Sequence, residues 1–359
     1  MSDVRVGVIG IGYWGPNVLR NFAALPGVEV VAVADRDDRR LREVRDAYPH
    51  IAVTKDYADF VRLGVDAVAI ATPPATHFPI ARDCLEYGLH VLVEKPLALN
   101  VRDAELLVDL AERRGLTLMV GHTFEYNPAV RRVKQLIDSG VLGKIHYIDS
   151  SRVNLGIFQN SVNVIWDLAP HDISILLYLL GMEPLTVSAE GNASIFEDVH
   201  DIAHIHMKFP GNTLAHVHVS WLSPTKTRRM VIVGSEKMLV YDDIADEKVR
   251  LYDRQAMPLA GAAPGEIRCH YRYGDSVALP VDWVEPLRLE CEHYIESIRQ
   301  GTPPQSDGYS GLRVVRVLER ADESLYNSEK RLQALMVEEA RSPNGSRQGD
   351  SFSRRAEIN

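Results

Sequence analysis

Asp167 and His171 stand four residues apart in the stretch VIWDLAPHD. If that stretch is helical, the two side chains share a face. An imidazole titrating near neutral pH can then take a proton, with the carboxylate orienting it or holding a ligand. A second reading is open on the same residues. Aspartate is a favoured helix cap, so Asp167 would cap a helix over Ile173–Leu180 and leave His171 as a surface group. Far upstream, GIGYWG places glycines at positions 10, 12 and 15. Gly10 permits a tight turn, Gly12 lets the backbone approach a pyrophosphate, and Gly15 lets a helix pack close to a strand. The N–H groups at the start of that helix suit an anion. Asp35 follows about twenty residues after the last glycine, where a carboxylate bonds the adenosine ribose hydroxyls of a dinucleotide. A carboxylate there repels the 2′-phosphate of NADP and favours NAD, while the adjacent Arg36 offers that phosphate an alternative partner.

These groups need a frame. Val4–Ile9 is an apolar run ending in Gly10, as in a strand buried on both faces of a parallel sheet. Asn17–Leu25 reads as a helix with Pro16 in its first turn, and Val28–Ala34 as the next strand. The alternation continues with strand Asp66–Ala71, helix Thr76–Tyr87, strand Leu89–Val93, helix Asn100–Arg114 and strand Leu116–Val120. Asn100 suits an N-cap, and Gly88 and Gly115 suit helix ends. The expectation is a doubly wound parallel sheet, which binds ligands at the carboxyl ends of its strands. Thr72-Pro73-Pro74 with His77, Glu94-Lys95-Pro96 and Gly121-His122 fall at those ends. The candidate cofactor residues are therefore Gly10, Gly12, Tyr13, Trp14, Gly15, Asp35, Arg36, Thr72, Pro73, His77, Glu94 and Lys95.

From Lys144 onward the pattern turns to strands: Ile145–Val153, Leu185–Glu190, Ile202–Phe209, Leu214–Trp221, Met230–Val233 and Met238–Tyr241, with a hairpin turn at Pro210–Asn212. Two helices follow, Pro286–Arg299 and Tyr309–Tyr326. The expected organisation is an α/β dinucleotide-binding domain over residues 1–122 and an α+β domain over 123–335 with a large, mainly antiparallel sheet. The last helices are expected to pack back on the first domain, and residues 340–359 to form a disordered tail. Tyr126, Asn127, Arg152, Asn154 and Asn163 are candidates to bind substrate hydroxyls or a phosphate. Each reads equally well as a cap, turn or surface residue. His204, His206, His216 and His218 fall on one face of a hairpin, with His200 nearby. Zinc is conceivable there, but no cysteine or carboxylate at ligand spacing joins them. The opposite face, with Ala203, Ile205, Val217 and Val219, is the one that should pack on helices. The expectation is an open histidine-bearing surface and no metal site.

The 359 residues carry a formal net charge of −9 and three widely spaced cysteines. This balance disfavours nucleic acid or an anionic membrane as a partner. The cysteines argue against a disulfide framework and for a reducing compartment, the cytoplasm. No apolar stretch approaches the roughly 20 residues of a membrane span.

With GIGYWG, Asp35, ATPP, EKP and WDLAPHD in order, the chain resembles the Gfo/Idh/MocA family of sugar and cyclitol dehydrogenases from about residue 4 to residue 330. The resemblance implies that Lys95 lies beside the reacting carbon and that Asp167 and His171 supply the other catalytic groups. It also implies a homodimer or homotetramer built through the open sheet face. GYWGPN, GHTFEYNP and VIWDLAPHD resemble the branch oxidising nucleotide-linked sugars at C3, such as UDP-N-acetylglucosamine 3-dehydrogenases. Oxidising a carbinol requires hydride loss to a nicotinamide and proton loss to a base, and a nearby lysine can stabilise the alkoxide or shuttle the proton. The expected reaction is NAD-dependent oxidation of a sugar hydroxyl to a ketone. A cyclitol or free-sugar dehydrogenase, a 3-keto-sugar reductase, an NAD-retaining glycosidase and a non-catalytic NAD-binding regulator are the alternatives.

Overall fold

Five of the six residues of β1 (Val4–Ile9) are buried, as a strand flanked by strands and covered by helices requires. In the computed structural model, which describes residues 3–159, 162–259 and 267–341, β1 leads into α1 (Gly15–Ala23), β2 (Val28–Ala34), α2 (Asp38–Ala47), β3 (Ala52–Thr54), α3 (Asp59–Arg62), β4 (Ala67–Ile70), α4 (His77–Glu86), β5 (His90–Glu94), α5 (Val101–Arg114) and β6 (Leu118–Gly121). The strands pair in parallel in the order β3-β2-β1-β4-β5-β6. Chain order reverses between β1 and β4, and a crevice opens there at the carboxyl ends of the strands.

After α6 (Pro128–Asp138) come β7 (Ile145–Val153), α7 (Val164–Leu180), β8 (Thr186–Asn192), β9 (Ile202–Phe209), β10 (Thr213–Ser220), β11 (Thr227–Gly234), β12 (Met238–Asp242), β13 (Val249–Pro258) and β14 (Cys269–Ala278), then α8 (Pro286–Gln300) and α9 (Gly308–Arg341). The second sheet runs β14-β13-β12-β11-β7-β10-β9-β8 and is antiparallel except for the β7/β10 pair. An α/β sheet followed by a mainly antiparallel one is the architecture that the sequence implies. Both C-terminal helices return to the first sheet. Leu287, Cys291 and Tyr294 of α8 fill a core with Val6, Val8 and Phe22. Val315 and Leu318 of α9 join Val93, Val120 and Leu107 in a second core, which continues through Ile173 and Leu176 of α7 to Ile205 and Val217 of the second sheet.

The elements α2, β3, α3, α6, β13 and β14 are present in the fold and are not among those expected from the sequence. The omission of α2 has a clear cause: DRRLREVRDA buries only Leu41 and Val44, too few for an apolar stripe. The last helix runs well past Tyr326, to Arg341, and residues 342–359 of the expected tail lie outside the described residues. The β9–β10 register sets His204 opposite His218 and His206 opposite His216. The rings stack, with centroids 4.3 Å apart for His204–His218 and 4.8 Å for His206–His216. His216 also bonds Asp149 at 2.7 Å. Among the described residues, no group of histidine, cysteine, aspartate or glutamate is placed to hold a metal. His200 lies off the stack, buried against the Tyr326 ring.

Candidate active site

The switch point between β1 and β4 opens into a cleft of about 1730 Å³ that runs from the glycine loop to the face of α7. The glycines have distinct roles. Gly10 has φ +92°, and a Cβ there would stand 2.7 Å from the Ala71 carbonyl oxygen. At Gly15 a Cβ would overlap the Gly10 carbonyl, so this glycine sets the close approach of helix to strand and does not line the cleft. A Cβ at Gly12 would meet nothing nearer than an Arg40 nitrogen at 3.7 Å. No side chain caps α1, but Pro16 carries no N–H and the Asn17 and Val18 N–H groups donate back to the Trp14 carbonyl, so an anion is left to the glycine loop that leads into the helix. Asp35 lies at the cleft, accepting from the Ile11 N–H at 2.7 Å and the Asp37 N–H at 2.8 Å. A carboxylate has about four acceptor sites, so capacity remains for ribose hydroxyls. These features fit a dinucleotide. Tyr13, Trp14, Arg36, Thr72 and Pro73 line the same end. So does Arg40, 3.6 Å from Asp35 and absent from the sequence reading.

His77 stands behind this wall. It is buried, with Nδ1 2.7 Å from the Pro96 carbonyl and Nε2 2.8 Å from the Thr72 carbonyl. It ties two strand-end loops together instead of facing the cleft. Glu94 and Lys95 end β5 at the cleft. The Glu94 side chain fits because Gly121 has none: a Cβ there would stand 2.9 Å from its Oε2. Burial pushes the Glu94 carboxyl up to about 7, against the pull of Lys95 and a hydrogen bond from the Trp14 indole.

Lys95 and α7 meet across the cleft. Lys95 Nζ donates to the Asp167 main-chain oxygen at 2.8 Å and stands 3.7 Å from its Oδ1. The other carboxylate oxygen of Asp167 accepts from the Trp221 indole at 2.9 Å. Burial holds the Lys95 ammonium below its ordinary pKa, and Asp167 and Glu94 oppose that shift. The α7 helix begins at Val164, so Asp167 and His171 share a helix as the spacing suggests. Its cap is Asn163 and not Asp167. The Asn163 side chain accepts from Ile165 N and Trp166 N and donates to Asp322 at 2.6 Å. Asn163 therefore acts at the helix start, away from the cleft lining.

His171 lines the cleft with its ring edge-on to Phe124 at 5.0 Å, and its Nδ1 is buried with no hydrogen-bond partner. Asp167 is engaged with Lys95 and Trp221 rather than with His171. Burial, reinforced by Lys95, Arg152 and Arg228, holds the imidazole well below its usual pKa. It is thus neutral, with one ring nitrogen unprotonated. Arg152 is buried, pairs with Asp172 at 2.5 Å and lays its guanidinium over Phe124 at 4.4 Å. Ser150 donates to the other Asp172 oxygen at 2.7 Å. Phe124, Asp172, Trp221 and Arg228 were all missed from sequence. A signal existed for Asp172, a lone charge within the apolar run of α7 that must find a buried partner.

Asn154 and Asn127 line the cleft. Asn127 also caps α6 and donates to Asp243 at 3.1 Å. Tyr126 does not line it. Its ring is fully buried, and its hydroxyl meets His293 Nδ1 at 3.0 Å and Ser306 Oγ at 3.2 Å.

Comparison with known proteins places this geometry. Residues 4–122 match the oxidoreductase family with an NAD-binding Rossmann fold, and residues 130–240 match the GFO/IDH/MocA C-terminal domain. UDP-N-acetylglucosamine 3-dehydrogenase of Acidithiobacillus ferrooxidans is 30% identical over 323 residues, 88% of this chain and 95% of that protein. Myo-inositol 2-dehydrogenase of Thermotoga maritima is 25% identical, over 90% and 96% of the two chains. A solved structure of the Acidithiobacillus enzyme superposes with a TM-score of 0.76, covering 90% of this chain and 98% of that one. A strand-end lysine facing an aspartate and a neutral histidine, above a glycine loop built for a dinucleotide, is shared out between two sheets joined in this order. The chain belongs to the Gfo/Idh/MocA family of oxidoreductases.

Proposed function

We propose that the enzyme oxidises a secondary hydroxyl of a nucleotide-linked sugar to a ketone, at C3 of UDP-N-acetylglucosamine or a close relative, with NAD as oxidant. The observation that carries this reading is the approach of Lys95 to Asp167 beside a neutral His171. When bound, NAD would supply the hydride acceptor. The loop of Gly10–Gly15 would hold the pyrophosphate, and Asp35 would hold the adenosine ribose. His171 takes the hydroxyl proton, and the Lys95 ammonium stabilises the oxygen as charge develops. Asp167 holds Lys95 in place. The Asp35 carboxylate supports NAD over NADP.

The similarity to UDP-N-acetylglucosamine 3-dehydrogenase supports the nucleotide sugar. The myo-inositol 2-dehydrogenase relative keeps a cyclitol as the second reading. A panel of nucleotide sugars, free sugars and cyclitols, followed at the NADH absorbance, decides between them. Turnover of myo-inositol with none of UDP-N-acetylglucosamine would overturn the first reading. Net NADH release also separates a dehydrogenase from an NAD-retaining glycosidase.

The enzyme is further proposed to be a homodimer or homotetramer joined through the open sheet face. Exposed Tyr147 and Leu214, with half-buried Val231, Val233 and Val240, share that face by register. Apolar surface of this kind favours an isologous contact. A monomer by light scattering would overturn it. No helix among the described residues is long and apolar enough to cross a membrane. Free thiols at Cys84, Cys269 and Cys291 support a cytoplasmic setting.

A further inference from the structure

The cleft is larger than an ordinary small-molecule pocket. Small-molecule pockets run to about 300–1,000 Å³, and this cleft is about 1730 Å³. At its mouth lies Trp283, with 54% of its surface exposed. A large aromatic side chain left this open in a concave site is poised for a planar ligand. Trp283 is also held. One face of its indole is covered by the Lys248 ammonium, 5.1 Å from the ring centroid. Lys248 is fixed in turn by the main-chain oxygens of Asp243 at 2.8 Å and Ala245 at 3.3 Å. Two residues further on, Glu285 anchors the segment to α1 through Arg20 at 2.6 Å and Asn21 at 3.2 Å. The ring is thus fixed between the two halves of the molecule.

A continuous wall joins Trp283 to the reacting groups. Asp243 pairs with Arg228 at 3.4 Å, and Arg228 lies over the Phe124 ring at 5.8 Å. Phe124 is the ring against which His171 rests. Along this wall a cation lies between a proton acceptor and an aromatic platform. Asp243 does not turn the wall acidic, because Asn127, Tyr241 and Arg228 all engage its carboxylate.

We propose that Trp283 and Arg228 form a distal subsite for a nucleoside diphosphate carried by the substrate, the base stacking on the open face of Trp283 and a phosphate meeting Arg228. The subsite rests on the nucleotide-sugar reading above and names the residues that recognise its nucleotide. Binding at such a subsite, away from the reacting carbon, would orient the sugar.

The experiment is calorimetry of UDP binding to the NADH-loaded enzyme, in wild type, Trp283→Ala and Trp283→Phe. Loss of one stacking platform weakens binding by roughly ten- to a hundredfold, so Trp283→Ala should show that loss. Trp283→Phe keeps an aromatic face and should remain within about fivefold of wild type. NADH affinity should be the same in all three. Equal UDP affinity in wild type and Trp283→Ala would overturn the subsite while leaving the nucleotide-sugar reading intact. No UDP binding to wild type at millimolar concentration would also overturn it, and the substrate panel then judges the sugar separately. Parallel loss of NADH and UDP affinity in Trp283→Ala would give Trp283 a structural role and overturn the subsite. UDP binding that depends on Trp283, with no UDP-sugar oxidised, would uphold the subsite and overturn the substrate reading.

Discussion

Lys95 Nζ reaches the Asp167 main-chain oxygen at 2.8 Å while standing 3.7 Å from the same residue's carboxylate. The ammonium is therefore placed by backbone, and its charge is balanced by a side chain that Trp221 also holds. Removing Lys95 should slow hydride transfer by about a hundredfold or more, the usual scale for a positioned acid–base group. NAD affinity should survive Lys95→Ala, because separate residues build the loop that holds the dinucleotide. Lys95→Arg should not rescue, since a planar fork cannot replace a point charge bonded to one carbonyl. Single-turnover NADH formation is the measurement, and near wild-type rates in Lys95→Ala would remove Lys95 from the chemistry.

The pH profile should follow the two buried bases. Burial and the surrounding cations hold His171 well below 6.5, so it stays neutral as pH falls through the usual histidine range. No acid limb from His171 should appear near pH 6.5, and activity should fall only in more acidic buffer. Lys95 has its pKa lowered from 10.5, so an alkaline limb should appear earlier than an exposed lysine would give. Asp167 raises the Lys95 pKa, so Asp167→Asn should move that limb to still lower pH. An alkaline limb unmoved in Asp167→Asn would break the proposed link between these residues.

Asp35 holds the cofactor loop through the N–H groups of Ile11 and Asp37, and the proposed function gives it cofactor choice as well. Asp35→Ser should narrow the preference for NADH over NADPH by about tenfold, as removal of a repulsive carboxylate implies. It should also weaken NADH itself, because the N–H groups of Ile11 and Asp37 lose their acceptor. Calorimetry with both cofactors reads the two effects. NADPH binding wild type as tightly as NADH would show that Arg36 and Arg40 outweigh the carboxylate.

Glu290 is a destabilising element at neutral pH. It is buried, Thr123 donates to one oxygen at 2.8 Å, and the other has no partner. Burial, with Glu94 nearby, raises its pKa well above 4.5. A raised carboxyl binds its proton more tightly folded than unfolded, so its contribution is fully present below the unfolded pKa and is lost as pH rises through the folded one. Glu290→Gln keeps an acceptor for Thr123 and carries no charge. It should raise the melting temperature at pH 8 by a few degrees and have little effect at pH 4. A variant less stable than wild type at pH 8 would show that the carboxylate is needed in its charged form.

Most of the first sheet was legible because β1, β4, β5 and β6 are largely buried and α4 and α5 are followed by Gly88 and Gly115, whereas the half-buried β3 and the charged α2 carry no such marks. Gly10, Asp35, Lys95, Asp167 and His171 were legible as well, because each occupies a strand end or a helical spacing that chemistry constrains. What sequence could not supply was partnership at long range. Asp167 and His171 were read as a pair, yet Asp167 engages Trp221, 54 positions away along the chain. Tyr126 and Asn163 look like binding residues in one dimension. In three dimensions they have already been used, one in the core against His293 and one as the cap of α7. Arg228 carries no motif, and only the pairing of β11 with β7, which sets it opposite Arg152, brings it over the Phe124 ring beside His171.

The return of α8 to the first sheet bears on how the chain is made. Tyr294 rests against Phe22 with ring centroids 6.2 Å apart, and its hydroxyl reaches the Val68 carbonyl at 3.3 Å. On the ribosome, the strands and helices of the first 121 residues emerge long before this cover does. The surface around Phe22 must wait, uncovered, until the helix containing Leu287, Cys291 and Tyr294 has been synthesised. An exposed apolar face of this kind invites chaperone capture or aggregation during that interval. A gene fragment ending after β6 should therefore give an insoluble product, and supplying α8 as a separate peptide should improve its solubility.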